Sequence, residues 1–540
     1  MTSTSNWEEL AKAKKAEVDA TIPKEWLLPA EIHDKYNEST PESVLHIPKQ
    51  LLSERELEIT ENYNVPQLVE QITSTKYTAV EVLNAFSHRA AIATQLTNCC
   101  TELLFHYALE RAKFLDNYLK ENKKPFGPLH GVPISVKDLF NIPGYDSTLG
   151  FVSLIGNKAT KESDFVRLLL DLGAVVFVKT NIPQTLMTAD SENNIFGRTL
   201  NPLNLTWTAG GSSGGEGALI KLRGSIAGIG TDVGGSIRIP ALCNGVYGFR
   251  PSTFRFPLGN QAECSREVYV DIVSVSGPLA ADIVSLDYVT KAIFKQKPWE
   301  YDVSLYRLKY QEPELNPNSK LRIGVIFEDS DFPVHPPIKR IIKEAILKLT
   351  EAGHSVTFIE SFPSYNAGFK LAMASFLTDT NGTALKKIHA SGERIIKSLT
   401  LPILDVYGEI PQNVDELIQH KDKVQKYAND WTNVFKNYDV IIAPGAPGTA
   451  PPHDDYGIAP YTTIWNLVDF PASIIPFGQA DAKIDVDDNA KYPAELDNIY
   501  AHYQPEVYDK GIGHVQVIAP KLEDETLLVA TTIIDKVLNA

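Results

Sequence analysis

Twelve of the chain's 33 glycines lie between Gly210 and Gly248, a small fraction of its length. The segment reads Gly210-Gly-Ser-Ser-Gly-Gly-Glu-Gly-Ala218, then Gly228-Ile-Gly-Thr-Asp-Val-Gly-Gly-Ser-Ile-Arg-Ile-Pro240. Backbone without side chains can take positive φ and can bring its N–H groups close to a ligand, so a phosphate cradle is the first reading to test. It fails twice. A Walker A loop needs Gly-Lys-Ser/Thr, and Gly215 is followed by Glu216; a dinucleotide fingerprint needs a third glycine where Val233 stands. An acidic residue inside the cluster would also repel a phosphate. The pattern G-x-S-x-G fits around both Ser212 and Ser213, which suggests a nucleophile elbow. That motif requires a strand immediately before it, whereas Asn201 to Ala209 is polar and loop-like. Among the histidines, His453, His502 or His514 would act as a triad base only if the fold carried one to the serines.

The chain has 540 residues, 43% hydrophobic and 22% charged, the balance of a globular protein and enough chain for several domains or one large one. A formal net charge of −16 argues against nucleic acid or an anionic membrane as partner and favours a small molecule. Cys99, Cys100, Cys243 and Cys264 have neither disulfide-framework nor zinc spacing. Met1 to Lys15 lacks the apolar core of a secretory signal, and no run approaches the roughly 18 apolar residues of a membrane span. These features predict a cytoplasmic protein.

Residues 1–60 read as an N-terminal helical extension packing on the core, with a capping box at Ser53 to Glu56. A similar pattern at Thr78 to Glu81 opens a helix through Val82, Leu83 and Phe86. Phe165, Val166, Leu169 and Leu170 have helical spacing, Gly173 stops the helix, and Ala174 to Val178 follows as a buried strand. A second unit runs from a strand at Leu321 to Phe327, through a helix opened by Pro336 and Pro337, to a strand at Val356 to Ile359. Val440 to Ala443 is a further short strand. Strands alternating with helices predict an α/β fold with a large mixed sheet flanked by helices on both faces. We expect residues 61–540 to form one domain, with surface excursions at 296–320 and 481–510. In the second, Asp485, Asp487 and Asn489 have calcium-loop spacing, but Ala490 and Leu496 occupy the glycine and glutamate positions, so a solvated acidic loop is expected.

Taken whole, the glycine-rich segment resembles the amidase signature family of serine amide hydrolases. The resemblance is carried by the paired glycine-serine block, by Thr231-Asp-Val-Gly-Gly-Ser-Ile-Arg238, and by the upstream Gly131-Val-Pro-Ile-Ser-Val-Lys137-Asp138; the signature region spans about 130–260. Beyond these motifs, Asn6 to Leu28, Pro183-Gln-Thr-Leu-Met187 and Tyr461 to Pro471 are most similar to the fungal acetamidase branch. The resemblance implies the amidase-signature fold and a catalytic Lys137, Ser212 and Ser236, separated by 75 and 24 residues. It implies a cis peptide at Ser212 and an oxyanion hole from the backbone N–H groups of Val233, Gly234, Gly235 and Ser236. Ser213, Asp232 and Arg238 would hold the two glycine loops by hydrogen bonds and charge pairing. Tyr461, Trp465 and Asn466 are candidates for the substrate pocket or for packing.

The chemistry implied needs no metal and no cofactor. Ser236 would attack the amide carbonyl and Ser212 would relay its proton to Lys137. A lysine can accept that proton near neutral pH only if burial holds it neutral. Val132, Pro133, Ile134 and Val136 place it on an apolar strand, and neighbouring side chains on a strand point to opposite faces, so Asp138 would point away. The expected partner is a small carboxylic amide, cleaved to carboxylate and ammonia by a protein that could be a homodimer. Alternatives are a fatty-acid or aryl amide hydrolase, a glutamine amidase subunit of a tRNA amidotransferase, and a catalytically silent binding protein on the same fold. The sequence departs from the family around Ser265 to Tyr269 and at Gly513 to Pro520, where substrate choice would be set.

Overall fold

The computed structural model describes residues 7–264, 271–379, 382–399, 410–486 and 503–540. Ser265 to Tyr269, Asp487, Asn489, Ala490, Leu496 and His502, singled out above, lie outside them. Among the described residues thirteen strands form in chain order: β1 (Cys100–Leu103), β2 (Pro133–Lys137), β3 (Val175–Thr180), β4 (Glu192–Asn193), β5 (Gly197–Arg198), β6 (Ala227–Asp232), β7 (Tyr247–Arg250), β8 (Val275–Ala280), β9 (Arg322–Val325), β10 (Ser355–Phe358), β11 (Val440–Ala443), β12 (Ala472–Gln479) and β13 (Ile512–Ile518). All but the β4–β5 ribbon join one eleven-stranded sheet, in the order β1-β3-β2-β6-β8-β7-β12-β13-β11-β9-β10. The sheet is mixed, as expected. β3, β2 and β6 run parallel, as do β11, β9 and β10, and the strands between are antiparallel. Helices cover both faces.

Strand β2 is buried at all five positions, and β3 and β6 at all six. A strand enclosed on both faces is dry enough to hold a lysine at its end without water. The register places Lys137 beside Thr180 of β3 and Ser135 beside Gly228 of β6. The carboxyl ends of these three parallel strands lie at the same edge of the sheet, the usual side for a ligand site in an open α/β sheet.

The N-terminal helices lie on this core. Trp7–Asp19 buries Lys14, whose Nζ pairs with Glu102 of β1 (2.6 Å) and Asp146 (3.0 Å). The capping box at Ser53 is complete, whereas at Thr78 only the side chain caps and Glu81 pairs with Arg55 instead. The helix Pro336–Glu351 buries Ile338, Ile341, Ile342, Ala345 and Leu349 as its spacing requires. Its preceding strand is shorter than expected, ending at Val325. Asp485 is held by Arg340 through two contacts of 2.8 Å, which gives that carboxylate a structural partner. No helix of the described residues is long and apolar enough to cross a membrane.

Candidate active site

Lys137 ends β2 with no solvent exposure, and its Nζ donates to Ser212 Oγ at 2.7 Å and to Thr231 Oγ1 at 2.9 Å. Burial pushes its pKa down to about 7, against the opposing pull of Asp232 and then Glu216. Asp138 turns to the other face, where its carboxylate accepts from Thr101 Oγ1 and the Leu149 N–H, both at 2.8 Å. The strand's alternation thus keeps the adjacent carboxylate away from the amine.

The first glycine block is a tight loop entering the short helix Gly214–Lys221, and its Gly211–Ser212 peptide bond is cis. Ser212 is 2% exposed and Ser213 fully buried. Ser213 ties this loop to the second one: its N–H donates to the Ser236 carbonyl at 3.2 Å and its hydroxyl lies 3.4 Å from the Thr231 carbonyl. Ser236 sits just before the helix Arg238–Asn244, 9% exposed and at the edge of solvent reach. Among the described residues no hydrogen bond joins Ser236 Oγ to Ser212 Oγ. Catalytic hydrogen bonds are commonly long in an unliganded site and tighten when substrate arrives.

Asp232 organises the second loop. Its carboxylate takes Arg238 Nε and Nη2, each at 3.0 Å, Asn466 Nδ2 at 2.8 Å, and the N–H groups of Gly235 (2.8 Å) and Ile237 (3.2 Å). Burial alone would raise its pKa, but Arg238, then Arg250 and Asn466, hold it well below the usual carboxylate range. Arg238, wholly buried, also donates to Gln516 Oε1 (2.9 Å) and Asn466 Oδ1 (2.6 Å). The Gly235 N–H is committed to Asp232, so of the four expected oxyanion donors it is not free. The N–H groups of Gly234 and Ser236 make no hydrogen bond within the described protein. Thr462 Oγ1 (2.7 Å) and Thr463 Oγ1 (2.9 Å) both donate to the Gly234 carbonyl, which lies in the same planar peptide unit as the Gly235 N–H and so holds that N–H on Asp232.

Gly235 has φ +132°, and a Cβ there would overlap Thr462 Oγ1 and come within 2.8 Å of Ile239 Cδ1. Alanine at 235 is expected to lower kcat/KM by about 10–100-fold through displaced donors and backbone strain. Steady-state kinetics beside a thermal melt would check it; a variant with full turnover would show that this loop has room to spare.

Several residues of this site were not assigned roles from sequence. Thr231, Thr462, Thr463 and Gln516 act by contact across the fold, and only Gln516 carried a signal, as a polar side chain in an apolar strand. Asn466 is a strut between Asp232 and Arg238, and Tyr461 and Trp465 are fully buried: Tyr461 donates to the Phe332 carbonyl and Trp465 packs on Trp431 at 4.7 Å. These three are support, not pocket lining. Cys243 is a buried, free thiol in the helix after Ser236. Among the described residues the histidine alternative finds no geometry. His514 is buried, accepts from the Gly445 and Ala446 N–H groups, and is pushed down to about 3 by burial. His453 contacts the Leu205 carbonyl.

Residues 81–528 match the family model described as Amidase. The chain is 37% identical to an amidase of Gibberella moniliformis, covering 99% of each. It is 38% identical to an acetamidase of Emericella nidulans, covering 99% of this chain and 98% of that one. A solved fatty acid amide hydrolase superposes with a TM-score of 0.91 at 30% identity, covering 99% of this chain and 96% of that one. A buried lysine hydrogen-bonded to a serine between two glycine loops, on a fold shared nearly end to end with these relatives, places the chain in the amidase family as a hydrolase acting on amide bonds.

Proposed function

We propose that the chain hydrolyses small carboxylic amides of the acetamide kind to carboxylate and ammonia, through an acyl-enzyme on Ser236. The observation that carries the reading is the buried Lys137 amine 2.7 Å from Ser212 Oγ. Ser236 Oγ attacks the carbonyl carbon while its proton passes through Ser212 to Lys137. The N–H groups of Val233, Gly234 and Ser236 stabilise the oxyanion. The proton returns through Ser212 to the leaving nitrogen as the C–N bond breaks. Water then repeats the sequence on the ester, releasing the acid. Likeness to two fungal acetamidases supports the small-amide choice. Likeness to a fatty acid amide hydrolase favours a second reading, amides of longer acyl chain. Ammonia release from acetamide, propionamide, hexanamide, oleamide, benzamide and glutamine separates them. Turnover rising with chain length would overturn the small-amide reading, and no turnover of any amide would overturn both. No cofactor is required by this scheme, and a cytoplasmic location and a homodimer remain part of the proposal.

The reading fixes a pH dependence. Neutral lysine is the base, so activity is present above the Lys137 pKa and is lost as pH falls through it. With that pKa pushed down to about 7, kcat/KM is expected to fall about tenfold per unit below neutrality. A profile from pH 5 to 9 that stayed flat through this range would speak against lysine as the base.

A further inference from the structure

We propose that Glu216 is a positioning residue of the site, whose buried carboxyl ties the loop of Ser212 to strand β2 and sets the proton affinity of Lys137. This rests on the reading of Lys137 as base. Glu216 stands in the first turn of the helix Gly214–Lys221, four residues after Ser212. It has no solvent exposure, and its carboxyl accepts Ser135 Oγ at 2.6 Å and Thr180 Oγ1 at 2.9 Å. Ser135 and Lys137 lie two apart on β2 and so share a face, and Thr180 is the β3 register partner of Lys137. Room for the carboxyl comes from Gly228 of β6, where any side chain would overlap Glu216 and Ser135. An acidic residue that has no phosphate chemistry to perform is therefore built into the wall beneath the lysine.

A carboxyl in such a place is a charge with consequences. Asp232 is matched by Arg238. Glu216 forms no ion pair among the described residues, and the cation that acts on it is Lys137. The other titratable group it acts upon is the Cys100 thiol on β1, which burial holds neutral. Lys137 in turn is acted on by Asp232 from β6, Glu216 and Cys264. Burial raises Glu216 to about 7, the range into which Lys137 has been pushed down, so the charge on Glu216 changes over the pH range in which the lysine gains its proton. When Glu216 is ionised it makes Lys137 more basic and stabilises the ammonium formed as Lys137 takes the Ser236 proton. Removing that anion lowers the lysine's proton affinity.

The test is the pH dependence of Ser236 labelling by a fluorophosphonate, in which the Ser236 oxygen bonds to phosphorus, fluoride leaves, and the same base takes the proton. Mass spectrometry of the labelled peptide identifies the residue, so the measurement needs no particular amide. In Glu216→Gln the midpoint of the acid limb is expected to fall by about one pH unit. Thr180→Val removes one hydroxyl donor from the carboxylate, favours its protonated form, and should lower the midpoint by roughly 0.3–0.5 unit. Combined with Glu216→Gln it should add nothing. A midpoint that is unchanged or raised in folded Glu216→Gln overturns the proposal while leaving the amidase reading intact. Should that variant fail to fold, an unchanged midpoint in Thr180→Val overturns it equally. Absence of Ser236 labelling in the unmodified protein would remove the base reading and the proposal together.

Discussion

Ser236→Ala is expected to lower kcat/KM for amide hydrolysis by about 10⁴–10⁶-fold with little change in stability, because it deletes one nearly buried hydroxyl that makes no structural hydrogen bond among the described residues. Lys137→Ala should cost about 10²–10⁴-fold, the usual worth of a positioned base. The double variant should be no worse than Ser236→Ala alone, since a base without its nucleophile has nothing to deprotonate and groups acting as a unit are strongly non-additive. Ammonia release under steady-state conditions, with circular dichroism to confirm folding, checks all three. Retention of a tenth or more of the activity by Ser236→Ala would return the nucleophile to Ser212 or Ser213, where the G-x-S-x-G pattern first suggested it.

The second large effect is on the fold. Asp232→Ala should destabilise the protein by about 3–5 kcal/mol, because it leaves the Arg238 guanidinium buried without its counter-charge. It also frees the Gly235 and Ile237 N–H groups that the carboxylate holds, so the loop bearing Ser236 loses its anchor. We expect any folded fraction to turn over at least about 100-fold more slowly than the unmodified protein. Replacing both partners, as in Asp232→Asn with Arg238→Met, should recover part of the stability, since an apolar side chain in place of the cation leaves no unpaired charge. Urea unfolding at a common slope measures this. A loss below about 1 kcal/mol in Asp232→Ala would mean that water reaches Arg238, contrary to its burial here.

How much of this was legible in advance follows from range. Lys137, Ser212 and Ser236 could be named because the glycine motifs around them are contiguous and long. The β2 burial that lowers the lysine's pKa was visible as Val132, Pro133, Ile134 and Val136. Helix Pro336–Glu351 announced itself by spacing and by Gly353 beyond its end. Thr462 and Thr463 gave no comparable sign, because their task is to grip a carbonyl 228 and 229 positions away in sequence. Trp465 likewise could have lined a pocket; that it packs on Trp431 depends on where two helices cross.

The glycine-rich segment by itself called for two close-approaching loops and argued against phosphate binding through Glu216 and Val233, while its resemblance to the amidase signature family is what pointed to Lys137, Ser212 and Ser236. The tertiary structure alone decided which of these groups touch and at what charge. Whether an amine is neutral depends on the solvent it has lost and the carboxylates left nearby, and those are supplied by β3, β6 and the helix after Ser212. The same closure turned the Gly235 N–H toward Asp232 and set Glu216 beneath Lys137. A local motif can specify a conformation; the dielectric around it is a property of everything packed against it.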